Sequence, residues 1–250
     1  MDKDDGPGQR RFTSVWTREA AAKRGRGQPG LSREQIVREA IALLDAEGLD
    51  ALSMRRLAAR LASGATSIYW WVASKDELLQ LAVDEILGEV AALFDGPYGE
   101  PTHWREIASR YAYGLRAVIL RHPWVAQQIG VRPAAGPNAM RAAQRMYEAF
   151  RQAGFRGKDL DYAIAAVGAY TLGTTLPEVA WRNTMLKEGM SEQEWTQAIR
   201  TEVERGGGEF ATLLIVLDEF ATEDVTTVRQ VSFDFGLVCM LDGLEARLPR

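Results

Sequence analysis

The chain has 250 residues, 46% hydrophobic and 26% charged, with a formal net charge of -4, enough for one large or two modest globular domains and too apolar for a disordered chain. The mildly acidic balance excludes a protein that coats nucleic acid by charge alone, yet it leaves room for a local basic reader. The single cysteine, Cys239, excludes an intramolecular disulfide or cysteine cluster, and no run approaches the roughly 20 apolar residues of a bilayer span.

Residues 1–31 mix Gly, Pro, Gln and Arg without sustained periodicity and read as a flexible basic arm. Its start, Met1 to Gly8, is unlike a secretory leader, so a cytoplasmic protein is expected. Between residues 10 and 33 stand Arg10, Arg11, Arg18, Lys23, Arg24, Arg26 and Arg33 against Glu19 alone. Arg24 and Arg26, interleaved with Gly25 and Gly27, have the composition that threads a narrow minor groove. A solvated linker is the competing reading. Trp16 is an anchor for the arm, on the folded body or on a partner chain.

Ser32 and Gln35 form a capping box ahead of Ile36, Ala40, Leu43 and Leu44 on one face, with Gly48 as the stop. A second helix starts at the capping hydroxyl of Ser53 and carries Met54, Leu57, Ala58 and Leu61 on an apolar stripe. Ala62, Ser63 and Gly64 leave room only for a turn, with Gly64 expected to supply the positive φ. In the short helix that follows, Ile68 and Val72 point inward, so Thr66, Ser67, Tyr69, Trp70 and Trp71 spread over the remaining surface. Hydroxyls, methyls, phenols and indoles there suit base edges and phosphates, and Lys75 just beyond suits a phosphate. The competing reading packs these aromatics into a small bundle and leaves Lys75 in solvent. Residues 32–79 are thus a candidate DNA reader of the helix-turn-helix kind, bound to double-stranded DNA.

Ser74 and Glu77 open a long helix through Leu78, Leu81, Ile86 and Val90 to about Phe94, which links the reader to residues 80–250. Pro97 to Pro101 break the chain. Helical patterns resume at about Thr102 to Arg121, Asn138 to Ala153, Lys158 to Trp181, Ser191 to Glu204 and Val225 to Leu248. Leu213 to Leu217 is the only β-like run, so the fold class is all-α. Ala165 to Leu176 is rich in small residues, and the last helix carries Gly236, Cys239 and Gly243 among Phe235, Leu237, Val238, Leu241 and Leu244. Two such helices from each of two chains would make a four-helix homodimer interface; packing within one chain is the alternative. Cys239 is expected to be a small buried residue. Trp104, Tyr111, Trp124, Gln128, Tyr147, Phe150, Tyr170, Thr174 and Trp181 mix aromatic walls with a few polar groups, as ligand sites do.

Leu57-Ala58, Leu61, Ile68-Tyr69-Trp70, Val72 and Ser74 through Leu79 stand where TetR-type transcriptional regulators have their helix-turn-helix pattern, and residues 53–79 strongly resemble that segment. The resemblance implies that Arg55, Thr66, Ser67, Tyr69, Trp70, Trp71 and Lys75 touch operator DNA. Two positions depart from it: Ala62, where the family usually has Gly, and Trp71, where His or Tyr is common. Ala166-Val167-Gly168, Tyr170 to Gly173, Ile129-Gly130 and Arg132-Pro133 are similar to the effector domain of the tetracycline repressors. At the positions of the His, Thr and Glu that hold the drug's magnesium there, this chain has Gln128, Val131 and Pro177, which cannot supply a hard-cation site. The resemblance therefore implies a small hydrophobic or aromatic effector, no metal or other cofactor, and a homodimeric repressor.

An enzyme is the first rival reading, but His103 and His122 form no metal-binding pair, Cys239 has no base near it in sequence, and no phosphate loop or dinucleotide fingerprint is present. The second rival is a helical small-molecule-binding or protein-interaction module without specific DNA binding. It leaves the exposed aromatics and the basic arm unexplained.

Overall fold

The computed structural model describes residues 15–16, 31–95, 103–131, 134–219 and 223–248. Among them the regular elements are helical, as expected of an all-α chain: α1 (Arg33–Glu47), α2 (Met54–Arg60), α3 (Ala65–Tyr69), α4 (Lys75–Ala92), α5 (Trp104–Arg121), α6 (Pro137–Ala153), α7 (Gly157–Glu188), α8 (Glu192–Arg205), α9 (Ala211–Glu219) and α10 (Val225–Glu245). Short 3-10 turns lie at Leu49–Ala51, Pro123–Gln127 and Gly207–Phe210. The chain divides into two compact units, Met1–Ile86 with Gln128–Met140, and Leu87–Gln127 with Arg141–Arg250. Both α4 and α6 begin in the first unit and end in the second.

In the first unit, local sequence accounts for the helix ends. The Ser32 amide donates to Gln35 Oε1 at 2.8 Å and the Gln35 amide to Ser32 Oγ at 3.2 Å, so the capping box is complete. α1 stops at Gly48, whose φ of 79° suits glycine. Ser53 Oγ accepts from the Arg56 amide at 3.2 Å and starts α2. α2 ends in a Schellman turn: the Ser63 amide donates to Ala58 O at 3.0 Å and the Ala62 amide to Ala59 O at 3.2 Å. Here the structure corrects the sequence reading. The left-handed residue is Ala62, φ 48°, whereas Gly64 has φ -76° and starts α3. The six-residue bond of that turn fixes which position reverses, and it falls two residues earlier than the glycine.

α4 opens on Ser74 Oγ, which accepts from the Glu77 amide at 3.1 Å, while the Glu77 carboxylate accepts from the Ala73 amide at 3.0 Å, one residue further back than an ordinary capping box. Trp16 rests against the folded body, with the Arg33 guanidinium over its ring at 5.5 Å. Most of the arm, including Arg24 and Arg26, lies outside the described residues.

The second unit is built on a buried cluster that includes Trp104, Ala108 and Ala112 of α5, Met146 and Phe150 of α6, Val167 of α7, and Phe233, Leu237 and Leu241 of α10. α7 runs past Trp181, where its sequence pattern fades, to Glu188, and it passes through Pro177. A proline there removes one backbone donor, and the α7 hydroxyls of Thr171, Thr174 and Thr175 bond back to carbonyls of the preceding turn. The β-like run Leu213 to Leu217 forms part of α9, as the all-α reading requires. Five consecutive apolar residues carry no period of their own, so composition alone cannot separate helix from strand. Among the described residues no helix is long and apolar enough to cross a membrane.

Candidate nucleic-acid interface and effector region

The interior of the reader is set by Ile68 and Val72, both fully buried, together with Leu57 of α2. Holding those two residues inward turns the intervening positions out, so Tyr69 is 50% and Trp70 79% exposed. Thr66 is exposed and Ser67 and Trp71 are half-buried. An indole that exposed at the C-cap of a five-residue helix is poor use of an aromatic for folding, since the burial it forgoes is on the order of 1.5–3 kcal/mol. It is well suited to a surface that another molecule covers.

The arginines of α2 divide by role. Arg56 pairs with Glu47 and Arg60 with Glu39, so both brace α2 against α1. Arg55 is exposed and has no ion-pair partner among the described residues. Lys75 is half-buried, and its Nζ donates to Leu49 O at 3.3 Å. Two further protons on that ammonium are available to an anion. Thr66, Ser67, Tyr69, Trp70 and Trp71 thus sit together on one short helix and its C-terminal end, with Lys75 at the start of the next.

The effector candidates differ in burial and in partners. Trp104 and Phe150 belong to the core, with ring centroids 5.1 Å apart, and each also packs on Phe155. Trp104 floors an open groove of about 310 Å³ edged by His103, Gln152, Glu245 and Leu248. Tyr147 is exposed and donates to Asp161 at 2.5 Å, which raises its phenol pKa. Trp124 is buried in the 3-10 turn after α5. Gln128 lies in the first unit. Tyr111 is half-buried, and burial pushes its phenol pKa up. Tyr170 donates to Phe233 O at 2.8 Å and packs on the Phe233 ring, Thr174 bonds its own helix, and Trp181 meets Trp195 edge-on at 4.7 Å.

Sequence reasoning missed the charged group beside Tyr170. Arg116 of α5 donates to Glu178 of α7 at 2.5 Å, its guanidinium lies 5.0 Å from the Phe233 centroid, and Arg182 approaches the other Glu178 oxygen at 2.6 Å. The signal was present: Arg116 falls on the stripe Ala108, Ala112, Leu115 and Ile119 that α5 buries, and a charged residue at a buried period needs a partner. Nearby, Tyr113 donates to Asp234 at 2.8 Å. Desolvation first, and then that bond to a carboxylate, push its phenol up to about 12.

In the second unit α7 and α10 each expose large apolar side chains. Tyr162 of α7 is 62% and Phe235 of α10 72% exposed, with Val231 and Val238 beside the latter. Cys239 is exposed on the same helix, which corrects its expected burial. α10 is apolar on more than one side: Phe233, Leu237 and Leu241 are buried, and Met240 and Leu244 are partly buried against the same core. Gly236 is required inside the unit, because a Cβ there would lie 2.4 Å from Tyr170 Oη. At Gly168, Gly173 and Gly243 a Cβ would meet nothing within 4 Å.

The two histidines have structural surroundings. His103 Nδ1 accepts from the Arg105 amide at 3.3 Å at the start of α5, and the buried His122 lies 3.5 Å from Glu89. No group of three potential metal ligands occurs among the described residues.

Comparison with known proteins agrees with the fold. Residues 36–82 match the model of the bacterial regulatory proteins of the tetR family, and residues 97–248 match the tetracyclin repressor-like C-terminal domain. An HTH-type transcriptional regulator of Saccharopolyspora erythraea is 41% identical over 170 residues, 68% of this chain and 70% of that one. The HTH-type transcriptional repressor DrrR1 of Streptomyces coeruleorubidus is 30% identical over 223 residues, 87% of this chain and 78% of that one. Among solved structures, the Streptomyces coelicolor TetR family protein ActR in complex with actinorhodin superposes with a TM-score of 0.70 at 29% identity, covering 89% of this chain and 99% of that one.

Proposed function

This chain belongs to the TetR family of transcriptional regulators, and on that basis we propose that it is a repressor which binds a near-palindromic duplex operator as a homodimer and is released by a small organic effector. The observation that carries the reading is the contrast at α3 and its C-cap: Ile68 is fully buried while Tyr69 and the C-cap Trp70 are 50% and 79% exposed. Arg55, Thr66, Ser67, Tyr69, Trp70, Trp71 and Lys75 form the operator surface, in successive major grooves about 34 Å apart. Arg24 and Arg26 add minor-groove contacts. Leu49 O holds Lys75 in place until a phosphate takes its remaining donors.

The dimer forms through α7 and α10. Its support is the exposure of Tyr162, Val231, Phe235 and Val238, alongside glycines at 168, 173 and 243 that leave room for a neighbouring helix. The effector binds in the second unit near Tyr111, Tyr170, Thr174 and Trp181, none of them fully buried, on the same two helices that carry the Arg116–Glu178–Arg182 group. The complex of the relative ActR with actinorhodin supports an organic effector. No metal is required.

A mobility shift on the duplex upstream of the protein's own gene tests this. Wild type should give a shift that survives moderate salt, Tyr69→Ala should weaken it more than Arg24→Ala, and an effector should reverse it. Equal loss on all DNA sequences for both variants would remove base reading from α3. Failure to retain any specific duplex would leave the module without specific DNA binding.

A further inference from the structure

The first turn of α6 is capped from a different helix. Gly136 occupies the N-cap position, its carbonyl accepting from the Met140 amide at 2.9 Å, and it has no side chain with which to cap. Pro137 takes the next position, where a missing N–H costs nothing. The orphan amides that follow, Asn138 and Ala139, donate to the carboxylate of Asp84 at 3.2 and 3.0 Å. Asn138 Nδ2 reciprocates by donating to Asp84 O at 3.0 Å.

Asp84 belongs to α4 and is only 5% exposed, among Leu81, Ala82 and Ile86. A carboxylate so placed is held by the partial positive charge of the helix start, and losing it would leave two part-buried amides without their acceptor. The approach is close enough to dictate Gly136: a Cβ there would fall 2.1 Å from Asp84 Oδ1. Four residues, Asp84, Gly136, Pro137 and Asn138, therefore agree on one junction. It joins the two helices that continue from the first unit into the second.

We propose that Asp84 is a positioning residue that locks α4 to the first turn of α6, so that a displacement of either helix is passed to the other through this cap. The proposal rests on the operator-binding reading for its consequence: effector-driven movement of α6 reaches the DNA reader through Asp84. α4 begins directly after that reader, at Lys75.

The test is amide hydrogen exchange by mass spectrometry on the full-length protein, free and with the duplex from upstream of its own gene. Asp84→Asn retains the shape and loses one acceptor and the charge. Gly136→Ala retains the carboxylate and pushes it away, so the two variants break one contact by unrelated routes. In the free protein both should speed exchange at least about tenfold in the segments 137–146 and 75–86, leaving 33–61 within about twofold of wild type. Acceleration confined to residues 137–140, with 75–86 unchanged, overturns the lock. With duplex bound, wild type should show slowed exchange over 137–146, and Asp84→Asn should bind the duplex without that slowing. Equal slowing in both also overturns it. A wild type that binds no duplex counts against the operator reading alone, and the free-protein comparison still decides the lock.

Discussion

Arg116 and Glu178 meet at 2.5 Å inside the second unit, each no more than 6% exposed, with the guanidinium over the Phe233 ring at 5.0 Å. Two charges so buried lose hydration that their attraction must replace, so the pair fixes a geometry more than it adds stability. Removing one partner is a different matter. Glu178→Gln keeps the shape and leaves Arg116 with a neutral amide, and urea unfolding should show a loss of about 3–5 kcal/mol. Arg116→Met with Glu178→Leu should lose much less than Glu178→Gln alone. A single variant within about 1 kcal/mol of wild type would mean that Arg182 or water takes over the role.

The Tyr113 phenol has a distinct alkaline signature. Its folded pKa is about 12 against an ordinary value of 10.0, raised by desolvation and by the bond to Asp234. The protonated phenol is thus favoured by folding, and the sign follows: the contribution is fully present below pH 10.0 and disappears as pH rises through about 12. In a spectrophotometric titration of phenolate absorbance, one tyrosine should titrate near 12, and Tyr113→Phe should remove that step. Asp234→Asn should shift the step downward. A titration unaffected by Tyr113→Phe would place the high phenol elsewhere.

The reader was legible because its signals are local. Ser32 with Gln35, Ser53 and Gly48 set helix ends within a few residues of themselves, and the four-residue spacing of Ile68 and Val72 decided which aromatics face out. The effector region was less legible because its candidates were chosen by residue type. Type does not say whether a ring faces a cavity or the core: Phe150 is fully buried while Tyr147, three positions before it on the same helix, is exposed. Arg116 with Glu178, and Asp84 with Asn138, are long-range pairs. Arg116, Glu178 and Asp84 each stand as a charged residue on a buried stripe, but only the fold brings the partners together. Gly64 misled for a related reason, since a turn has several positions and only backbone hydrogen bonds select the one that reverses.

The division of labour at α3 and its C-cap gives a paired prediction. Ile68→Ala removes a fully buried side chain and should cost about 2–5 kcal/mol in unfolding. Trp70→Ala truncates a side chain 79% exposed and should stay within about 0.5 kcal/mol of wild type. Duplex affinity, measured where both variants remain folded, should show the reverse order, with Trp70→Ala the more damaging. Thermal denaturation together with fluorescence anisotropy separates the two effects. A large stability loss for Trp70→Ala would return that ring to the core.

Ala62 carries a strain that the family pattern avoids. Its φ of 48° is the only positive value at a non-glycine residue among the described residues, and the left-handed region costs an L-residue with a Cβ roughly 1–2 kcal/mol. The Schellman bonds of Ser63 to Ala58 O and Ala62 to Ala59 O pin the residue there, because relaxing φ would break both. Ala62→Gly removes the steric cost, while the freer unfolded chain takes back about 0.4–1 kcal/mol. The net effect should be a gain of about 0.5–1 kcal/mol, read as a higher urea midpoint with an unchanged slope. Gly64→Ala, at φ -76°, should be tolerated, since a Cβ there comes only within 4.0 Å of Ser67 Oγ. The two substitutions together are diagnostic: if Gly64→Ala destabilised and Ala62→Gly did not stabilise, the turn would reverse at the glycine after all. In the expected case, the gain at Ala62 should leave operator affinity nearly unchanged, because the Schellman bonds that set the angle between α2 and α3 are made by backbone atoms that glycine also possesses.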